Sequence, residues 1–130
     1  MTGGARYRRL WRNTGQGSFE DVTTKVGLDR SYGTMQAVAV DFDADGWTDL
    51  LLASGSLDAQ RLEPSVVLRN EGGKQFREWF RLPSSGGAAN AIGAAVADFN
   101  ADGRPDIYLA SHALFIREGI RGGLFTSRKK

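Results

Sequence analysis

The sequence predicts an all-β fold built from a repeated unit, and three observations predict it. A short acidic pattern recurs: DFDADGWTDL from Asp41 returns as DFNADGRPDI from Asp98. The segments around both copies are apolar or alternating and of strand length. Clusters of turn residues separate them, NTGQGS at 13–18, NEGGK at 70–74 and LPSSGG at 82–87. Four-stranded units at a fixed period of a few tens of residues mark a β-propeller. The expectation is a partial β-propeller, with about two full blades of four antiparallel strands and partial blades at both ends.

The elements follow in order. YRRLWRNTGQGSF (7–19) is expected to supply the outer strands of a preceding blade. QAVAVDF (36–42) alternates small and branched residues, as a half-buried or buried strand does. DLLLAS (49–54) is a short apolar run, SVVLRN (65–70) is β-branched, and QFREWF (75–80) alternates Phe76, Glu78 and Phe80 with Arg77 and Trp79. AANAIGAAVA (88–97) has a helix-like composition, but Gly93 interrupts it and AVAV (37–40) maps onto its AAVA (94–97), so a strand is expected. The offset from Asp41 to Asp98 also maps LLAS (51–54) onto YLAS (108–111), Arg12-Asn13 onto Arg69-Asn70, and Phe19 onto Phe76, without a gap. LFIREGIRGGLF (114–125) echoes VVLRNEGGKQF (66–76) loosely, and ALFIREGIRGGLF (113–125) would begin a further blade. On this reading residues 1–130 are one domain, with units at about 7–63 and 64–120 and a tail at 121–130.

Composition sets bounds. Hydrophobic residues make up 41% and charged residues 25%, as in a soluble globular chain. The absence of cysteine excludes disulfides and cysteine-based metal centres. No apolar run approaches the length of a membrane span, and MTGGARYRRLWRN has no apolar signal core. The net charge of +2 hides an uneven distribution: seven of the 15 acidic residues lie in the two Asp-rich loops, against 17 Lys and Arg over the chain. The basic residues are scattered, apart from Arg6, Arg8, Arg9 and Arg12 and the terminal Arg128, Lys129 and Lys130. That pattern suits surface solubility better than nucleic-acid binding.

The loops carry the chemistry. Counting Asp41 as the first position, carboxylates fall at positions 1, 3, 5 and 9, with Gly46 at 6. The second loop places Asp98, Asn100, Asp102 and Asp106 at those positions, with Gly103 at 6. Alternate residues of a tight turn can point at one centre, and glycine permits the bend. Calcium takes about six to eight oxygen ligands in flexible geometry, whereas magnesium demands a strict octahedron and keeps its waters. Two calcium sites are expected. The first is formed by Asp41, Asp43, Asp45, the backbone carbonyl of Trp47, and Asp49. The second is formed by Asp98, Asn100, Asp102, the backbone carbonyl of Arg104, and Asp106. A backbone ligand at position 7 explains why residues as different as Trp47 and Arg104 stand there. The loops are not EF-hands: position 12 holds Leu52 and Leu109 instead of a bidentate glutamate, and the flanks read as strands.

With these residues in view, LWRNTGQGSFEDVT followed by AVAVDFDADGWTDLLLAS resembles the FG-GAP or VCBS-type repeat, a calcium-binding β-propeller repeat also found in integrin α-subunit heads. YGTMQAVAVDFDADGWTDLLLAS is especially similar to repeats of the ASPIC/UnbV and cartilage acidic protein type. The resemblance covers about residues 7–111 and implies the same ligand positions. It also implies a seven-bladed ring that is secreted, periplasmic or surface-displayed and acts in adhesion or ligand binding. The literal Phe-Gly…Gly-Ala-Pro signature is absent. Too short for a closed ring, the chain is expected to be a fragment or truncated relative of a longer propeller, self-associating through open blade edges.

The functional expectation is a non-enzymatic adhesion or ligand-binding scaffold, with calcium stabilising the blade turns and a protein or glycan as ligand. His112 is the single histidine, so a Ser–His–Asp triad would need it; a plain surface role is expected. The carboxylate spacing suits a cation, not acid–base work at a sugar. Two alternatives stand beside this. One is a non-catalytic part of a carbohydrate-active propeller enzyme, which would lean on Trp11, Trp47 and Trp79; here Trp11 and Trp79 are expected to pack and Trp47 to be exposed. The other is a basic module binding anionic surfaces or nucleic acid.

Overall fold

The computed structural model describes residues 8–30, 33–55, 64–83 and 91–111, and the backbone of 123–125. These residues are all-β. Their nine strands are β1 (Trp11–Gly15), β2 (Ser18–Asp21), β3 (Thr34–Val40), β4 (Asp49–Ser54), β5 (Val66–Glu71), β6 (Gln75–Arg81), β7 (Ala91–Ala97), β8 (Asp106–Ser111) and β9 (Gly123–Phe125). They form a two-stranded sheet β1-β2, a four-stranded sheet β3-β4-β5-β6 and a three-stranded sheet β7-β8-β9. Every pairing is antiparallel. The alanine-rich segment is strand β7 over its described residues, as expected from Gly93 and from its counterpart β3.

Strand pairing reproduces the sequence repeat. In the middle sheet Ala37 faces Leu52 and Val40 faces Asp49. In the last sheet Ala94 faces Leu109 and Ala97 faces Asp106, the same pairs moved on by one period. The irregularity between Thr34 and Gln36 recurs between Ala91 and Gly93. The outer strands obey the same rule. Leu68 faces Glu78 and Asn70 faces Phe76 in the middle sheet, while Trp11 faces Asp21 and Asn13 faces Phe19 in the first. Such coincidence is expected when each register is set by which side chains must be buried, because a one-residue slip exchanges the two faces.

Sequence unit and sheet are out of phase. The middle sheet takes β3 and β4 from residues 7–63 and β5 and β6 from 64–120. Strand β9 lies within 121–130, the segment read from sequence as a tail. Its pairs with β8, Ile107 to Phe125 and Leu109 to Gly123, stand one period beyond the pairs Leu50–Leu68 and Leu52–Val66. Residues 123–125 therefore match 66–68. The looser echo of 66–76 at 114–125 lies largely outside the described residues, and its described part, 123–125, aligns in register with 66–68 instead.

Side chains of the middle sheet alternate between two cores, as the period of a strand requires. Leu51, Ala53 and Val67 join Leu82, Ala91, Ile107 and Leu109 on the side of the last sheet. Leu52, Val66 and Leu68 join Val22, Val26 and Leu28 on the side of the first. The unbroken apolar run Leu50–Ala53 is thus explained by a strand covered on both faces. Each fully buried Leu or Val contributes about 1.5–3 kcal/mol.

The turn after β2 supplies one wall. Asp21 Oδ1 accepts from the Thr23 backbone N–H at 3.0 Å and from its hydroxyl at 2.6 Å. These hydrogen bonds, the hydroxyl's foremost, hold the Asp21 carboxyl below its ordinary value. The chain then folds back through Val26 N–H to Val22 O (3.0 Å) and Leu28 N–H to Thr23 O (2.9 Å). Phe76 N–H donates to Val26 O at 2.8 Å and ties this turn to β6.

Two tryptophans depart from expectation. Trp47 is exposed as expected, but Trp11 and Trp79 are 56% and 49% exposed and are not core residues. Trp11 stands at the position of buried Leu68, on a face that the described residues leave uncovered. Trp79 lies on the outer strand, where the Arg69 guanidinium sits 5.8 Å from its ring centroid.

Candidate metal centre

Both Asp-rich loops join an inner strand to its hairpin partner, β3 to β4 and β7 to β8, and they fold alike. Asp41 accepts from Asp45 N–H at 3.2 Å and from Gly46 N–H at 2.8 Å. Asp98 accepts from Asp102 N–H at 3.0 Å and from Gly103 N–H at 2.7 Å. Asp43 and Asn100 each turn an oxygen toward the amide of position 5, at 3.3 and 3.2 Å. Asp45 and Asp102 accept from the amides of Trp47 and Arg104, at 2.9 and 3.0 Å. At the far end Asp49 accepts from Phe42 N–H at 3.0 Å, and Asp106 from Phe99 N–H at 2.8 Å.

This wrapping needs left-handed backbone. Gly46 and Gly103 have φ of 89° and 85°, and Ala44 and Ala101 have φ of 59° and 58°. An alanine there costs on the order of 1–2 kcal/mol, offset by the hydrogen bonds that the turn places around the first aspartate of each loop.

The outcome is convergence. Carboxylate oxygens of Asp41, Asp43 and Asp49 lie within 4.8 Å of one another. Asp45 stands outside that triad, one oxygen taken by Trp47 N–H and the other facing Arg69 at 3.4 Å. In the second loop Asp98, Asn100, Asp102 and Asp106 occupy the same places in the hydrogen-bond pattern. Trp47 and Arg104 enter the two patterns through their backbone N–H groups, which donate to Asp45 and Asp102.

The ninth positions are the anchors. Asp49 and Asp106 are 0% and 1% exposed. A carboxylate can be buried only when its lone pairs are matched. Asp49 meets this by accepting from Asn70 N–H at 2.8 Å as well as from Phe42, which pins the loop to β5. Asn70 adds a side-chain bond from Nδ2 to Thr48 O at 2.9 Å.

Arg69 completes the first loop. Its guanidinium lies 2.8 Å from Asp43 and 3.4 Å from Asp45. Burial pushes the Asp43 carboxyl above its ordinary value, and the charge of Arg69 opposes that rise. Sequence reasoning uses Arg69 and Asn70 only as repeat markers. The recurrence of Arg-Asn at 12–13 and 69–70 marks the repeat alone, since Arg12 pairs with Glu20 and Asn13 accepts from Gly15 N–H.

Chemically, the donors are hard oxygens, dominated by carboxylate, with no imidazole or thiolate among them. That set fits a hard divalent cation and is a poor match for zinc or copper. His112 lies outside the described residues.

Neither curated proteins nor solved structures give a match to this chain. The FG-GAP-like repeat family matches it twice, over residues 2–52 and 43–109. The first match contains Asp41–Asp49 and the second contains Asp98–Asp106, so each ends within the strand that follows an acidic loop. Together with the antiparallel sheets in common register, this settles the architecture: the chain belongs to the FG-GAP-like repeat family, and its sheets are successive blades of an open, partial β-propeller.

Proposed function

We propose that the chain is a calcium-binding propeller module that serves as a non-catalytic scaffold for adhesion or ligand binding. The observation that carries this reading is the convergence of Asp41, Asp43 and Asp49 within 4.8 Å. The ion would be held by Asp41, Asp43, Asp45, Asp49 and the Trp47 carbonyl in the first loop. Asp98, Asn100, Asp102, Asp106 and the Arg104 carbonyl would hold it in the second. When bound, calcium supplies the positive charge that lets these carboxylates share one turn.

The role is structural. Asp49 closes the loop on itself through Phe42 and ties it to β5 through Asn70, so order at the loop is coupled to order at the neighbouring strand. With most carboxylate oxygens engaged, a protein or glycan ligand would bind elsewhere on the propeller. A Kd of about 10⁻⁴–10⁻³ M is expected, as in extracellular modules; such sites fill outside cells, at a cell surface or in a periplasm.

Calorimetric titration with calcium tests the reading. Two equivalents should bind to the intact chain, Asp45→Ala should remove about half of them, and excess chelator should lower the melting midpoint. Absence of binding heat together with an unchanged midpoint in chelator would refute it.

A further inference from the structure

The first and last sheets expose residues whose counterparts in the middle sheet are covered. Leu51 is 0% exposed and faces the last sheet; Tyr108, its counterpart one period on, is 44% exposed. Phe42 packs against the same core, whereas its counterpart Phe99 is 51% exposed. At the other end Leu68 is 4% exposed and Phe76 packs beside it, yet Trp11 and Phe19 are 56% and 60% exposed. Trp11 and Phe19 share a face, because their cross-strand partners Asp21 and Asn13 lie at alternate positions of the β1-β2 pair.

The chain thus carries two apolar faces of different kinds. One, with Tyr108 and Phe99, is the kind that receives a following blade. The other, with Trp11 and Phe19, is the kind that covers a preceding blade. We propose that they dock on each other between molecules: the Tyr108–Phe99 face of one copy receives the Trp11–Phe19 face of a second, head to tail. The occupant follows from the two junctions inside the chain. Both join a following face to a preceding face, and a second copy presents the missing face on residues already folded for it. Symmetric pairing of two like faces has no precedent in either junction. A head-to-tail contact is heterologous and extends beyond a dimer unless the rotation closes a ring.

Sedimentation equilibrium of the full chain and two variants tests this. Trp11→Lys blocks one face and Tyr108→Lys the other. Both side chains are exposed in the single chain, so the fold should tolerate the changes; circular dichroism and the melting midpoint check this. The unaltered chain should rise with concentration from monomer mass to above dimer mass. Each variant alone should stay at monomer mass, and an equimolar mixture of the two should reach twice monomer mass and stop there. The proposal is overturned if the unaltered chain remains monomeric at millimolar concentration. It is equally overturned if either variant alone forms dimers, or if the mixture forms none.

Discussion

At Asp49 a carboxylate lies wholly inside the protein between the amides of Phe42 and Asn70. Asp49→Ala would strand two backbone donors, each costing about 1–3 kcal/mol when buried without a partner. A loss of about 2–6 kcal/mol in urea unfolding is therefore expected, with Asp49→Asn costing less because an amide oxygen remains. Asp43→Ala, where the side chain is 19% exposed and faces Arg69, should cost clearly less than Asp49→Ala. If the three variants were equally stable, the anchoring role of the ninth position would be wrong. The loop positions are legible in the sequence because alternating Asp and Gly leave few other arrangements. Arg69 and Asn70 are not. They reach the loop from β5, far along the chain, and no local pattern announces a contact across a hairpin. Trp11 and Trp79 defy expectation for a related reason: a large aromatic residue suggests a core, but only the neighbouring blade decides whether a core exists there.

Among the elements, β4 and β8 show how one pattern acquires two energetic meanings. Leu51 and Tyr108 hold equivalent places on these strands, but only Leu51 is covered. Leu51→Ala should cost about 2–5 kcal/mol, and so should Leu52→Ala on the opposite face. Tyr108→Ala should cost about 1 kcal/mol or less in the isolated monomer, as substitutions outside a core do. Chemical denaturation at low protein concentration checks all three, and comparable losses at Leu51 and Tyr108 would contradict the assignment of the faces. Strands and their repeat are readable, since apolar runs and turn residues are local signals. The phase of the blades is not. A periodic sequence looks the same from any starting point, and it is hydrogen bonding between β4 and β5 that joins the halves of two neighbouring units. The same ambiguity hides β9, which pairs in register after a segment whose likeness to β5 aligns on the wrong residues.

Over the whole molecule, the middle blade is the wall that two cores have in common. Neither core survives its loss, whereas the outer sheets each support one. Native-state hydrogen exchange should therefore be slowest at the amides of β4 and β5 and faster at β1, β2 and β9. Uniform protection across all three sheets would count against this hierarchy. Partial-propeller architecture is legible from the repeat and strand lengths. The inequality of its blades is not, because it depends on which faces find a neighbour.

The common register of the three sheets also constrains how such a chain can change in length. Duplicating or deleting one whole period keeps every cross-strand partner and every inward-facing residue in place. An insertion of a single residue within a strand would turn its buried side chains toward water. Gene growth by tandem duplication is thus compatible with this fold at any count of periods. Each added period would lay a further blade over the face that carries Tyr108, at the position where the middle blade buries Leu51.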